Sequence, residues 1–179
     1  IEALKAANPK LIAGLIGAKV AVDAAGSMAQ APVVDFCARN EFDFTVKEVA
    51  EGVPMAEIKG LSYRNADGVV VHNPDREIMT DMDQLPFVTS VYKRDLEMEK
   101  YFIGYLKHPY ISFYSGRGCK SRCTFCLWPQ TVGGHTYRTR SVAHVIEEIE
   151  EGKPLRIVRD EDNDYLGHAE RPVPERAKK

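Results

Sequence analysis

Three of the chain's four cysteines, Cys119, Cys123 and Cys126, fall within eight residues, between a strand-like run from Pro109 to Ser115 and a helical pattern opening at Ser141. The run Pro109-Tyr-Ile-Ser-Phe-Tyr-Ser115 is rich in aromatic and β-branched residues and passes into Gly116-Arg117-Gly118. The thiols therefore follow a strand through a glycine-flanked turn. Beyond the loop, Val142, Val145, Ile146 and Ile149 recur at i, i+3, i+4 and i+7, with Ser141 placed as a cap and Gly152 as a stop. Glu147, Glu148, Glu150 and Glu151 are expected to face water on that helix. The segment thus reads as one βα repeat carrying its thiols on the connecting loop. Such clustering suits a metal rather than a disulfide framework, and the distant Cys37 reads as a small apolar filler of the core.

The first half has a related pattern. Glu2 to Ala7 reads as a helix stopped at Asn8-Pro9, and the opening is expected to lie inside a larger protein. The near-continuous apolar run Lys10 to Ala18 predicts a strand buried on both faces, and Gly14 and Gly17 mark either a ligand approach or a tight turn. Ser27 to Arg39 predicts a covering helix, Phe42 to Val46 a second strand, and Lys47 to Gly52 a short helix. This order indicates an α/β layer. An Asp67-Gly68 turn between Ile58–Arg64 and Val69–His72 signals a hairpin, and Asp81 to Phe87 reads as a connector. The expected organisation is 1–57, 58–108 (connector with hairpin), 109–152 (cysteine loop and helix) and 153–179, a divergent, disordered tail with one strand candidate at Leu155–Val158.

With 24 Lys+Arg against 26 Asp+Glu, the net charge of −2 gives no electrostatic reason to expect nucleic acid or an anionic membrane as partner. The longest apolar stretch, Leu11 to Val22, is broken by two glycines and Lys19. It is too short for a bilayer core of about 30 Å, so no transmembrane segment is expected. A cytoplasmic location is expected, since nothing before the first helix resembles a secretion leader.

The spacing C-x3-C-x2-C brings three soft thiolate ligands to one loop, which selects an iron–sulfur cluster or zinc over hard cations. A four-iron cubane on three cysteines leaves one iron open to a small molecule bound by its amine and carboxylate. Arg117, Lys120 and Arg122 offset the anionic charge of such a cluster, and Phe125 offers an aromatic face for a stacked base or else packs beneath the loop. Arg138 and Arg140 bind a carboxylate or cap neighbouring backbone, and these two readings stay open. His144 reads as a solvated residue on the helix rim. Against the iron reading stands a non-catalytic module in which the cysteines hold a redox cluster or structural zinc, the latter with His135 as fourth ligand.

The string from Tyr110-Ile-Ser-Phe-Tyr-Ser-Gly-Arg-Gly-Cys119 through Cys126-Leu-Trp-Pro-Gln-Thr-Val-Gly-Gly-His135 to Arg138-Thr-Arg-Ser141 resembles the radical S-adenosylmethionine superfamily, in the branch with an N-terminal cobalamin-binding domain. More narrowly, it is similar to the hopanoid-biosynthesis-associated radical enzymes of bacteria, over about Ile1 to Glu150. The resemblance implies the C-terminal part of a Rossmann-like, cobalamin-binding-type domain followed by the first βα unit or units of a partial TIM-like barrel. It implies a [4Fe–4S] cluster on Cys119, Cys123 and Cys126, S-adenosylmethionine at the open iron, and Phe125 near the adenine, with Arg138 and Arg140 as further cofactor-binding candidates. The implied reaction is reductive cleavage of S-adenosylmethionine to a 5′-deoxyadenosyl radical that abstracts a substrate hydrogen. The implied partners are a reductant such as flavodoxin or ferredoxin and a small-molecule or lipid-linked sugar substrate, for instance a hopanoid headgroup rearranged to a cyclitol.

The chain also departs from that pattern. The cobalamin signature D-x-H-x-x-G is absent, since none of His72, His108, His135, His144 or His168 has Asp two residues before it. Cobalamin binding therefore stays open, and a cobalamin carrier domain is a third reading. Gly133-Gly134-His135 comes too soon after the cysteines to be the family's Gly-Gly-Glu motif on the second strand. A complete barrel takes about 31 residues per βα unit, so the stretch from Pro109 onward has room for two units, and this chain alone is expected to be inactive.

Overall fold

The computed structural model describes residues 1–102, 104, 108–126 and 134–152, and the backbone of 156–159 and 165–166. The chain divides into two compact units, Ile1–Thr80 with Arg117–Tyr137, and Asp81–Gly116 with Arg138–Lys179.

The first unit runs α1 (Glu2–Ala7), β1 (Gly14–Leu15), α2 (Ala18–Val22), α3 (Ala24–Gln30), β2 (Phe36–Ala38), α4 (Asp43–Ala50), β3 (Leu61–Arg64) and β4 (Val70–His72). The sheet order is β1-β2-β3-β4. β1 and β2 are parallel, joined through α2 and α3, and the remaining pairs are antiparallel. All three residues of β2 are buried, and the two-residue alternation of a strand decides what each touches. Cys37 points to one face, where it packs with Val20, Ala24 and Met28 of the covering helices. Phe36 and Ala38 point to the other, against Ile58, Leu61 and the α4 side of the sheet at Val46 and Val49.

Three expectations change here. The apolar run at Lys10–Ala18 is strand only at Gly14–Leu15, and Ile12 and Ile16 are exposed, so the doubly buried strand is β2. Phe36–Ala38 belongs to that strand and not to a helix running on from Ser27. α3 starts earlier, with Asp23 accepting the Gly26 N–H at 2.8 Å, and ends at Gln30, before Pro32. Phe42–Val46 is the entry to α4, not a strand, and Phe42 and Val46 pack on the same cluster, as residues one turn apart must. Gly52, at φ +80°, stops α4 as expected.

The hairpin expected at 58–72 forms around Gly68 at φ +78°, and its strands continue the sheet from β2. Arg39 secures it, donating to the carbonyls of Leu61 (2.9 Å) and Asn73 (2.6 Å) and pairing with Asp75 at 2.9 Å.

The second unit contains α5 (Val88–Asp95) and β5 (Tyr110–Phe113). The two-residue strands β6 (Gly116–Arg117) and β7 (Arg138–Thr139) stand before and after the cysteine loop in sequence. α6 (Val142–Gly152), β8 (Arg156–Arg159) and β9 (Tyr165–Leu166) follow. β8 pairs parallel to β5, from Tyr110↔Arg156 to Phe113↔Arg159, and β9 pairs antiparallel to β8. Strand, loop, α6 and parallel strand make the expected βα repeat plus its next strand. Within 153–179, residues 156–159 and 165–166 are strand, and the rest of that segment lies outside the described residues.

Val145 and Ile149 of α6, one turn apart, pack on Ile111, Phe113 and Met98. Val142 and Ile146 are exposed, and Glu148, expected in water, is fully buried. Its carboxylate pairs with the buried Arg140 and also accepts the Thr89 N–H (3.2 Å) in the first turn of α5, so one acid both neutralises a guanidinium and caps a neighbouring helix. Among the described residues, no helix is long and apolar enough to cross a membrane.

Candidate metal centre

β5 delivers the chain to Gly116, and the loop begins with Arg117 and Gly118. Gly118 has φ +87°, and a Cβ there would overlap the carbonyl oxygen of Thr136. Only glycine lets the two ends of the cysteine loop meet at this point. Further along, the His135 imidazole donates Nδ1–H to the Ser121 carbonyl across 3.1 Å, a second closure of the same loop. Between these closures the Cys126 N–H donates to the Cys123 carbonyl at 3.2 Å, folding the C-x2-C segment into a turn.

All three loop cysteines are free thiols. Cys119 and Cys126 are half-buried and Cys123 is exposed. As a donor set, three reachable thiols on one closed loop suit a thiophilic cluster. The side chains are not drawn to one point, since among the described residues no group of three or more His, Cys, Asp or Glu forms a metal-holding set. Phe125 is 91% exposed, so it does not pack beneath the loop and its ring is open to a ligand. Residues 127–133, which include Trp128 and Gly133, lie outside the described residues. Cys37 is fully buried in the sheet core, where burial pushes its thiol up and the nearby Arg39 pulls it partly back.

Arg138 and Arg140 belong to the second unit, and both are buried. The Arg140 guanidinium is engaged by Glu148, by the carbonyls of Tyr114 (3.1 Å) and His144 (3.2 Å), and by the His144 ring nitrogen at 3.0 Å. It also lies 5.6 Å from the Phe87 ring centroid and 5.9 Å from that of Phe113. These are the contacts of a residue that caps backbone and anchors α6. His144 is not on a solvated rim: it packs on Phe87 at 4.7 Å between centroids and lies 3.2 Å from Asp83. The Ser141 hydroxyl and amide, with His144 and Arg140 nearby, hold the Asp83 carboxyl below the usual carboxylate range despite some desolvation.

Sequence reasoning missed the partners of Arg117. Its guanidinium makes two bonds to Asp43, in the first turn of α4, at 2.7 and 3.0 Å, and lies 3.7 Å from the buried Glu41. Glu41 in turn accepts the Met79 N–H at 2.8 Å. A separation of 74 residues leaves no local signal for such a pair.

No protein-family model matches the chain. It is 31% identical over 127 residues to an uncharacterized methyltransferase of Pyrococcus horikoshii, covering 69% of this chain and 26% of that protein. Among solved structures, it is similar to OxsB, a cobalamin-dependent S-adenosylmethionine radical enzyme with aqua-cobalamin and S-adenosylmethionine bound. The TM-score is 0.53 at 18% identity, over 82% of this chain and 20% of that one. It is also similar to TsrM, a radical S-adenosylmethionine methyltransferase from Kitasatospora setae with tryptophan and a S-adenosylmethionine analogue bound, with a TM-score of 0.51 at 18% identity, over 83% and 29% of the two chains. The chain therefore spans about a quarter of the curated relative's length. At this identity the likeness is one of fold. The architecture is α/β: a Rossmann-like sheet of mixed parallel and antiparallel strands in the first unit, and one βα unit with its next parallel strand in the second.

Proposed function

We infer that this chain is part of a radical S-adenosylmethionine enzyme and carries its [4Fe–4S] cluster on Cys119, Cys123 and Cys126. The observation that carries the reading is a loop of three free thiols, closed at Gly118–Thr136 and His135–Ser121, directly after the opening strand of a barrel-type βα unit. When bound, the cluster supplies the electron that cleaves S-adenosylmethionine to a 5′-deoxyadenosyl radical. The chain's own residues do the rest of the local work. The loop closures keep the three thiols on one short pinned segment, the exposed Phe125 ring stacks an adenine, and Arg140 and Glu148 fix α6 behind the strand.

The Rossmann-like sheet supports cobalamin as a further cofactor, although the signature D-x-H-x-x-G does not occur within these residues. The names of the similar proteins favour methyl transfer as the reaction class. The narrower resemblance points to a lipid-linked sugar such as a hopanoid headgroup as substrate, in a bacterial cytoplasm where flavodoxin or ferredoxin supplies electrons. Turnover is expected only where the remaining barrel strands complete a substrate face.

One observation favours a second reading, a structural zinc site. The His135 ring donates through Nδ1 to a backbone carbonyl, which leaves Nε2 for another partner, as in metal-ligating imidazoles. The separating experiment is electron paramagnetic resonance of the anaerobically reconstituted, reduced chain. A cluster with an open iron changes its signal when S-adenosylmethionine is added, whereas a zinc site is silent with or without it.

A further inference from the structure

The proposed function accounts for the thiols but not for the acidic grip on the residue that begins their loop. Arg117 sits two positions before Cys119. Its side chain is mostly buried, it forks onto both oxygens of Asp43, and the buried Glu41 stands behind it. Two carboxylates facing one guanidinium exceed what surface chance provides, and the forked geometry specifies orientation as well as position. Asp43 and Glu41 lie at the entry of α4, which packs on the buried face of the Rossmann-like sheet through Phe42, Val46 and Val49. The next residue, Gly118, is the close-contact point with Thr136. The loop entrance is therefore fixed by two consecutive residues, one through charge and one through steric fit.

We propose that Arg117 is a positioning residue, with Asp43 and Glu41 as its clamp, and that this clamp holds the cysteine loop on the first unit so that its three thiols converge on the cluster. This rests on the cluster reading above. The clamp predicts that the first turn of α4, remote in sequence and bearing no ligand, governs how firmly the cluster is retained.

The test uses the full chain with Arg117→Ala, Asp43→Ala, the double variant and Arg117→Lys. Two quantities are read: iron retained after anaerobic reconstitution and a fixed chelator challenge, and amide hydrogen exchange at 118–126 with 36–38 as internal control. Losing a charge-assisted pair of this kind raises loop opening about 10- to 100-fold. Each alanine variant is expected to exchange faster at 118–126 by that factor, to lose iron correspondingly faster, and to leave β2 protection unchanged. Asp43→Ala should loosen the loop less than Arg117→Ala, since Glu41 still faces the guanidinium; the double variant should match Arg117→Ala, and Arg117→Lys should fall between the parent and Arg117→Ala. Unchanged exchange at 118–126 in both single variants overturns the clamp, as does loosening of β2 by the same factor, which marks a general structural role. If the parent chain holds no iron at all, the cluster reading fails, and the exchange arm still decides whether Asp43 clamps the loop.

Discussion

Truncating Glu148 should cost this protein far more than its place on an otherwise acidic helix face suggests. The Glu148 side chain is 1% exposed and that of its partner Arg140 is 6% exposed, so neither charge can turn to water when the other is removed. In Glu148→Ala the guanidinium keeps the Tyr114 and His144 carbonyls but loses its counter-charge, and the Thr89 N–H loses its acceptor. Breaking a buried pair by deleting one member costs about 3–5 kcal/mol, of which the lost cap on α5 accounts for roughly 1. Against a typical total stability of about 5–15 kcal/mol, that is a large fraction. Urea unfolding followed by far-ultraviolet circular dichroism, with hydrogen exchange at Ile111 in β5 as a local probe, reads the change directly. Replacing both members with apolar residues, Arg140→Met with Glu148→Leu, should recover most of the loss, because no uncompensated charge then stays buried. A Glu148→Ala variant within about 1 kcal/mol of the parent, or a double variant worse than the single, refutes this reasoning.

Three further outcomes follow from the same geometry. Gly118→Ala places a Cβ against the Thr136 carbonyl at φ +87°; the loop should open, and iron retention after reconstitution should fall at least tenfold with β2 exchange unchanged. Asp83 is held below the usual carboxylate range by Ser141. Its contribution to stability is therefore complete above the unfolded value of about 3.9 and is lost as pH falls through the lower folded value; Asp83→Asn should flatten thermal stability measured from about pH 5 down to 2. Iodoacetamide at mildly alkaline pH should label Cys119, Cys123 and Cys126 of the metal-free chain and spare Cys37, which is fully buried with its thiol pushed up; mass spectrometry showing Cys37 labelled at a comparable rate counts against the sheet described here.

The βα unit was readable because its signals are local: an aromatic and β-branched run, glycines at the loop entrance, a capping Ser141 and apolar residues at helical spacing. Its exception, Glu148, follows from physics that the helix pattern cannot show. The acid sits beside Val145 and Ile149, and its burial depends on Arg140 eight residues away and on the start of α5. The β1 to β2 region was harder for a different reason. Phe36-Cys37-Ala38 is apolar on both faces of a three-residue strand, which carries no period, whereas Phe42-Asp43-Phe44-Thr45-Val46 alternates like a strand although it is helical. Of the candidate site, the thiol spacing and the aromatic residue beside it are legible in sequence, whereas the exposure of Phe125, which could equally have packed beneath the loop, is seen only in the structure. The Arg117 clamp was not, because Asp43 and Arg117 meet only once the sheet has brought α4 to the loop.

Metal analysis of anoxically purified chain tests the central claim most directly. About four iron atoms per chain with negligible zinc, falling to background when Cys119, Cys123 and Cys126 are all replaced by serine, is the expected result. Stoichiometric zinc with negligible iron in the parent chain contradicts it.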